Sequence, residues 1–153
     1  MNQMKVLVAG GAGFIGSNLI DALLEEGNQV VCVDNYFIGT KENVRHLSGN
    51  PNFKMYEQDI CDLDALKKIF EDEKIEYVFH MAANSDIQAS AANPIIEYKN
   101  TYSTTFNLLE CMRIYGVKKL FFASTSAVYG EKMGEHVAEH STSLEPISYY
   151  GGS

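Results

Sequence analysis

The chain has 153 residues, 46% of them hydrophobic, and 12 basic against 20 acidic residues give a formal net charge of −8. That is enough apolar material for one domain with a sizeable core and excludes chain-wide disorder, while the acidic balance argues against nucleic acid or an anionic membrane as the main partner. Cys32, Cys61 and Cys111 are scattered and odd in number, which suits neither a disulfide framework nor a zinc cluster and fits a reducing cytoplasm.

The N-terminal apolar run is very short and breaks into glycines, unlike a signal peptide. No stretch approaches the roughly 20 apolar residues of a membrane span. The first strand is "KVLVAG" at 5–10, and it runs into "GGAGFIGSNLI", where Ile15, Leu19 and Leu23 have helical spacing. Gly10, Gly11, Gly13 and Gly16 fit both G-x-G-x-x-G and G-x-x-G-x-x-G. Glycine there permits a tight strand-to-helix turn, close approach of backbone amides to a pyrophosphate, and close packing of the helix on the sheet. The second strand, "QVVCVD" at 29–34, ends on Asp34, roughly 20 residues after the glycines, as a dinucleotide fingerprint requires. An acid there accepts hydrogen bonds from a ribose and repels a 2′-phosphate, so NAD is favoured over NADP.

Further strands are expected at 53–58 ("FKMYEQ"), 76–82 ("EYVFHMA") and 118–124 ("KKLFFAS"). A helix near 63–72 has Asp62 as its N-cap, and a long helix runs from Pro94 to Tyr115 and is closed by Gly116. The acidic "FEDEKIE" at 70–76 reads as a solvated helix end. His80 reads as a packed residue at a strand end. Apolar strands alternating with helices predict an α/β fold, a doubly wound parallel sheet of at least five strands. The segment 131–146 reads as a loop of functional length. His136 and His140 stand four apart with no third ligand, so no metal site is expected.

"FASTSAVYG" sets three hydroxyls, Ser124, Thr125 and Ser126, at the carboxyl end of the fifth strand, where open α/β sheets hold their ligands. In "SYYGGS" a helix starting near Ser148 presents Tyr150, or Tyr149 if the register slips, so that a hydroxyl and a phenol share one substrate oxygen.

Together "GGAGFIG" (10–16), "VDN" (33–35), "QDICD" (58–62), "HMAAN" (80–84), "NTYSTTFNLLE" (100–110), "STSAVYG" (124–130) and "YGGS" (150–153) resemble the extended short-chain dehydrogenase/reductases, and within them the nucleotide-sugar epimerases and dehydratases. The resemblance implies a Rossmann-type fold in which Gly10, Gly13, Phe14, Ile15 and Gly16 cradle the NAD pyrophosphate. Asp34 with Asn35 would hold the adenosine ribose, Asp59 and Ile60 the adenine, and Ala82 and Ala83 the nicotinamide half, with Asn100 nearby. Thr125 would be the catalytic Ser/Thr and Tyr150 the catalytic Tyr. The family pattern continues Y-x-x-x-K, which puts the lysine directly after Ser153. The expectation is therefore an incomplete NAD-binding domain over 1–153, without the carboxy-terminal lobe that grips the sugar nucleotide, and inactive alone. Dehydratases of the family commonly carry Asp-Glu after the catalytic Thr, where this chain has Ser126 and Ala127. The resemblance thus points to a 4-epimerase on a UDP-sugar, with dehydratase, decarboxylase, reductase or a non-catalytic NAD-binding module as alternatives. It also implies a homodimer through the 94–115 helix.

Overall fold

A computed structural model describes residues 3–132, 136–140 and 143–153. Five strands, β1 (Lys5–Ala9), β2 (Gln29–Asp34), β3 (Phe53–Glu57), β4 (Tyr77–His80) and β5 (Lys119–Phe122), form one sheet in the order β3-β2-β1-β4-β5. Every neighbouring pair is parallel, with Val6 beside Val30 on one side and Tyr77 on the other. This is the doubly wound α/β sheet expected from the sequence.

The central strands β1, β2 and β4 are largely apolar because both faces are covered, whereas the edge strands β3 and β5 are partly exposed. Val6, Val8, Val30 and Cys32 point toward α1 (Phe14–Glu25), where Ile20 and Leu23 complete the layer. Leu7, Ala9, Val31, Val33 and Val78 point the other way, against Leu66, Ile69 and Phe70 of α2 (Leu63–Glu73) and Leu108, Cys111 and Met112 of α5 (Thr104–Tyr115). Asp62 caps α2 by accepting from the Ala65 amide at 3.0 Å, as its position predicts. Gly116, at φ +74°, closes α5 in the left-handed conformation that glycine takes without cost.

Three features depart from the sequence reading. A short helix, α3 (Ile87–Ala92), is capped by Asp86 through the Ala89 amide and precedes the expected long helix. That long helix is itself composite: α4 (Ile95–Glu97) passes through a π segment, Tyr98–Ser103, into α5. The acidic stretch 70–76 is not simply a solvated helix end. Phe70 and Ile75 lie in the core, and Glu73 is 7% exposed. Its carboxylate accepts from Lys5 Nζ (3.1 Å), Lys54 Nζ (2.5 Å) and Tyr56 Oη (2.6 Å), so partners on β1 and β3 make burial tolerable.

Within the expected loop at 131–146, residues 133–135 and 141–142 lie outside the described residues. The others form no helix or strand. Among the described residues no helix is long and apolar enough to cross a membrane.

Candidate active site

The chain leaves β1 for β2 on one side and returns to β4 on the other, so the carboxyl ends of β1 and β4 diverge at a topological switch point. The glycine turn follows β1 at this point, and the loop carrying Ala82 and Ala83 follows β4. Gly10 adopts φ +77°, and a Cβ there would stand 2.6 Å from the Ala82 amide nitrogen. At Gly16 it would meet Gly10 O at 2.3 Å. Those two glycines are required by packing. Gly13 differs: its φ of −73° suits any residue, and an added Cβ has Gly10 O at 3.3 Å as its one neighbour within 4 Å. Gly13 is also the N-cap of α1, and no side chain caps that helix end. The positive end of the helix dipole is left open toward the cleft.

Asp34 is buried at the end of β2. Its Oδ2 accepts from the Ala12 amide and its Oδ1 from the Tyr36 amide, both at 2.8 Å. The carboxylate therefore rivets the glycine turn to β2, and each oxygen keeps a second lone pair for a ligand. The 39–43 segment braces the same turn. Thr40 N (3.1 Å) and Asn43 Nδ2 (2.8 Å) both donate to Ala12 O, and a Cβ on Gly39 would lie 2.7 Å from Ala12 C. On the far side Asn107 Nδ2 donates to Ile60 O (2.9 Å) and Cys61 O (3.1 Å), fixing the loop after β3. Sequence reasoning did not single out Gly39, Asn43 or Asn107. The signal was weak, because each acts on backbone atoms far along the chain.

A cleft of about 410 Å³ opens at the switch point. It is lined by Gly10, Gly13, Phe14, Ile15, Gly16, Asp34, Asn35, Asp59, Ile60, Ala82, Ala83, Asn100 and Tyr150, by Ser124 of the three-hydroxyl run, and by residues the sequence reading did not name, among them Gln58, Met81 and Ser85. Phe14 is 83% exposed at its mouth. An adjoining hollow of about 250 Å³ is lined by Ala82, Ala83, Ser124, Thr125 and Tyr150. Thr125 N-caps a 3₁₀ turn, Ser126–Tyr129, with Oγ1 accepting from the Ala127 amide at 3.1 Å, which leaves its hydroxyl hydrogen free to donate. Of the two tyrosines, Tyr150 lines both spaces and Tyr149 is exposed. They begin α6 (Tyr149–Gly152), capped by Ser148 Oγ, which accepts from the Gly151 amide. A Cβ at Gly151 would lie 2.6 Å from Ala127 O, so α6 sits directly on the Thr125 turn.

His80 ends β4 at 2% exposure. Thr105 Oγ1 donates to Thr101 O at 2.7 Å, so it can only accept from His80 Nε2 at 2.8 Å. That assigns the Nε2–H tautomer and leaves Nδ1 buried without a partner. Burial pushes the imidazole down to about 4, which removes it from proton transfer at neutral pH. The Cys32 thiol, behind the glycine turn, is raised to about 12 by burial first and by the Asp34 charge second, and is inert. Among the described residues no group of three or more His, Cys, Asp or Glu side chains is placed to hold a metal.

The family model for GDP-mannose 4,6 dehydratase matches residues 7–153. The chain belongs to this family. Individual relatives are 4-epimerases. The UDP-glucose 4-epimerase of Lactobacillus helveticus is 40% identical over 148 residues, covering 97% of this chain and 43% of the relative. The UDP-glucuronate 4-epimerase of Thermodesulfobacterium geofontis is 44% identical over 128 residues, covering 80% and 40%. Among solved structures, the UDP-glucose 4-epimerase of Thermotoga maritima with UDP-glucose superposes with a TM-score of 0.88 at 40% identity, covering 97% of this chain and 47% of that one. The Thermus thermophilus UDP-glucose 4-epimerase complex with NAD gives 0.89 at 36% identity, with the same coverage. The chain thus spans less than half the length of the relatives it matches, and this family and Rossmann-type fold agree with the resemblance read from its motifs.

Proposed function

We propose that the cleft holds NAD and that the chain is the cofactor-binding part of a nucleotide-sugar 4-epimerase acting on a UDP-sugar. One observation carries the reading: a single cleft joins the glycine turn and Asp34 at one end to Ala82, Ala83, Asn100 and Tyr150 at the other, and opens into the hollow beside Thr125. The residues fit the cofactor. Gly13 leaves unfilled space at an uncapped helix N-terminus suited to a pyrophosphate. Asp34 retains lone pairs for the two ribose hydroxyls and would repel a 2′-phosphate. Asn35, Asp59 and Ile60 complete the adenosine side.

When bound, the nicotinamide supplies a reversible acceptor for hydride. The protein's own part is acid/base work and orientation. In the intact enzyme a deprotonated Tyr150 would take the proton from a sugar hydroxyl, and Thr125, its hydrogen free to donate, would orient that oxygen and support its developing charge. Relatives named as 4-epimerases for UDP-glucose and UDP-glucuronate support a UDP-sugar as substrate. Ile95, Tyr98, Tyr102, Phe106 and Leu109 form an exposed apolar stripe at helical spacing, which supports a homodimer through this helix. Three free cysteines favour a reducing, cytoplasmic setting.

The chain has no tryptophan, so NADH fluorescence is a clean probe. Saturable enhancement on titrating the chain into NADH, displaced by NAD, is expected. An absence of saturation would overturn the reading. Conversion of UDP-sugars by these 153 residues alone is not expected, because they span less than half of the relatives' length.

A further inference from the structure

Behind the cleft wall lies a buried carboxylate that the proposed chemistry does not use. Glu97 is 2% exposed, and its neighbours Asn84, Ser90 and Thr101 are also buried. Its Oε1 accepts from Thr101 Oγ1 at 2.5 Å, and its Oε2 accepts from Ser90 Oγ and from Asn84 Nδ2 at 3.1 Å. Asn84 Nδ2 also donates to Ser90 Oγ at 2.7 Å, and the Asn84 amide donates to Thr101 Oγ1 at 3.3 Å. Among the described residues Glu97 makes no ion pair, so its donors are all neutral.

A buried carboxylate without a cation is a costly way to join two segments; apolar side chains would do so at lower cost. What such a network provides is a fixed geometry, because its hydrogen bonds are directional. The segments it joins are the two halves of one cleft wall. Asn84 lies between Ala83 and Ser85, which line the cleft, and Thr101 follows Asn100, which also lines it. The chain departs from α-helical geometry directly after Glu97, in the π segment that carries Asn100 and Thr101, and such segments recur at functional sites.

We propose that Glu97 is a positioning residue for the cofactor: by holding Asn84 and Thr101 it sets the spacing between the Ala82–Ser85 loop and Asn100, and so the fit of the nicotinamide half. This rests on reading the cleft as an NAD site. Among the described residues no hydrogen bond joins Asp34 or Asp59 to these side chains; the adenine-side loop reaches the π segment only at its backbone, through Cys61 Sγ on Lys99 O at 3.0 Å, and that separation provides the test.

Calorimetric titration of the chain with NAD and, separately, with ADP compares the unsubstituted protein with Glu97→Gln, Thr101→Val and a core control, Ile69→Val. For both network variants the NAD dissociation constant is expected to rise about tenfold while that for ADP changes less than about twofold. Ile69→Val should leave both unchanged even where its loss of melting temperature matches theirs. If Glu97→Gln does not fold, Thr101→Val carries the same expectation, since it keeps the side chain's shape. Unchanged NAD affinity, or NAD and ADP weakened together, would overturn the inference and leave Glu97 a purely structural residue. If the unsubstituted chain binds no NAD, the cofactor reading fails and this inference falls with it, a result distinct from any comparison among variants.

Discussion

Glycines 10, 13 and 16 look interchangeable in the sequence, yet the structure assigns them different work. Gly16 is closed off by Gly10 O at 2.3 Å from an added Cβ, so Gly16→Ala must shift backbone and should cost about 1–3 kcal/mol of stability, as overpacking does. Gly13 has ordinary φ, and an added Cβ meets only Gly10 O, at 3.3 Å, a tight contact that a shift of a few tenths of an ångström relieves, so Gly13→Ala should cost clearly less stability than Gly16→Ala and weaken NAD roughly tenfold or more, by placing a methyl at the phosphate-binding turn. Thermal melts beside NADH titrations of the two variants check this split. Equal stability losses would mean that both glycines serve packing alone. Asp34 likewise has two duties, and only the ligand-facing one is legible in the fingerprint; its bonds to the Ala12 and Tyr36 amides require the folded turn to be seen.

Among the elements, α2 is held at its carboxyl end by Glu73 and β4 ends on His80, and both make the fold acid-sensitive. Burial alone would raise the Glu73 carboxyl, but hydrogen bonds from Lys54, Tyr56 and Lys5 outweigh it and lower the group from 4.5 to about 2. A depressed carboxyl contributes stability above its unfolded value, and that contribution is lost as pH falls from 4.5 toward 2. It amounts to at most about 3 kcal/mol at neutral pH, because water screens the largely exposed Lys54. His80, lowered from 6.5 to about 4, is neutral in the fold, so its contribution is complete above pH 6.5 and is lost as pH falls toward 4. Urea unfolding across pH should therefore weaken in two stages. His80→Gln should flatten the stage between 6.5 and 4, and Glu73→Gln the stage below 4.5; a profile unmoved by either variant would contradict these assignments. Strands and crossover helices were legible in the sequence because their apolar periodicity is local. The character of 70–76 was not, because Glu73 finds Lys5 on β1, 68 residues away. The π segment was equally hidden, since residues 98–112 keep a helical rhythm of apolar side chains through it.

At the scale of the whole molecule, two surfaces remain to be accounted for. The stripe from Ile95 to Leu109 is exposed and apolar, and if it is a dimer interface then Phe106→Glu should convert a dimer into a monomer by light scattering without altering NAD affinity. A monomeric unsubstituted chain would remove the homodimer reading. The cleft is the other surface, and there the sequence was most informative: the twelve residues proposed to hold the cofactor, drawn from segments between Gly10 and Asn100, line one cavity with Tyr150. What the motifs did not contain was the bracing from Asn43, Asn107 and Glu97, whose partners are backbone atoms or buried side chains. On the proposed reading this cleft selects NAD through Asp34. Calorimetric titration of the chain with NAD and NADP tests it most directly. Saturable NAD binding with NADP at least about tenfold weaker is the predicted result; no saturable NAD binding, or equal affinity for the two, would contradict it.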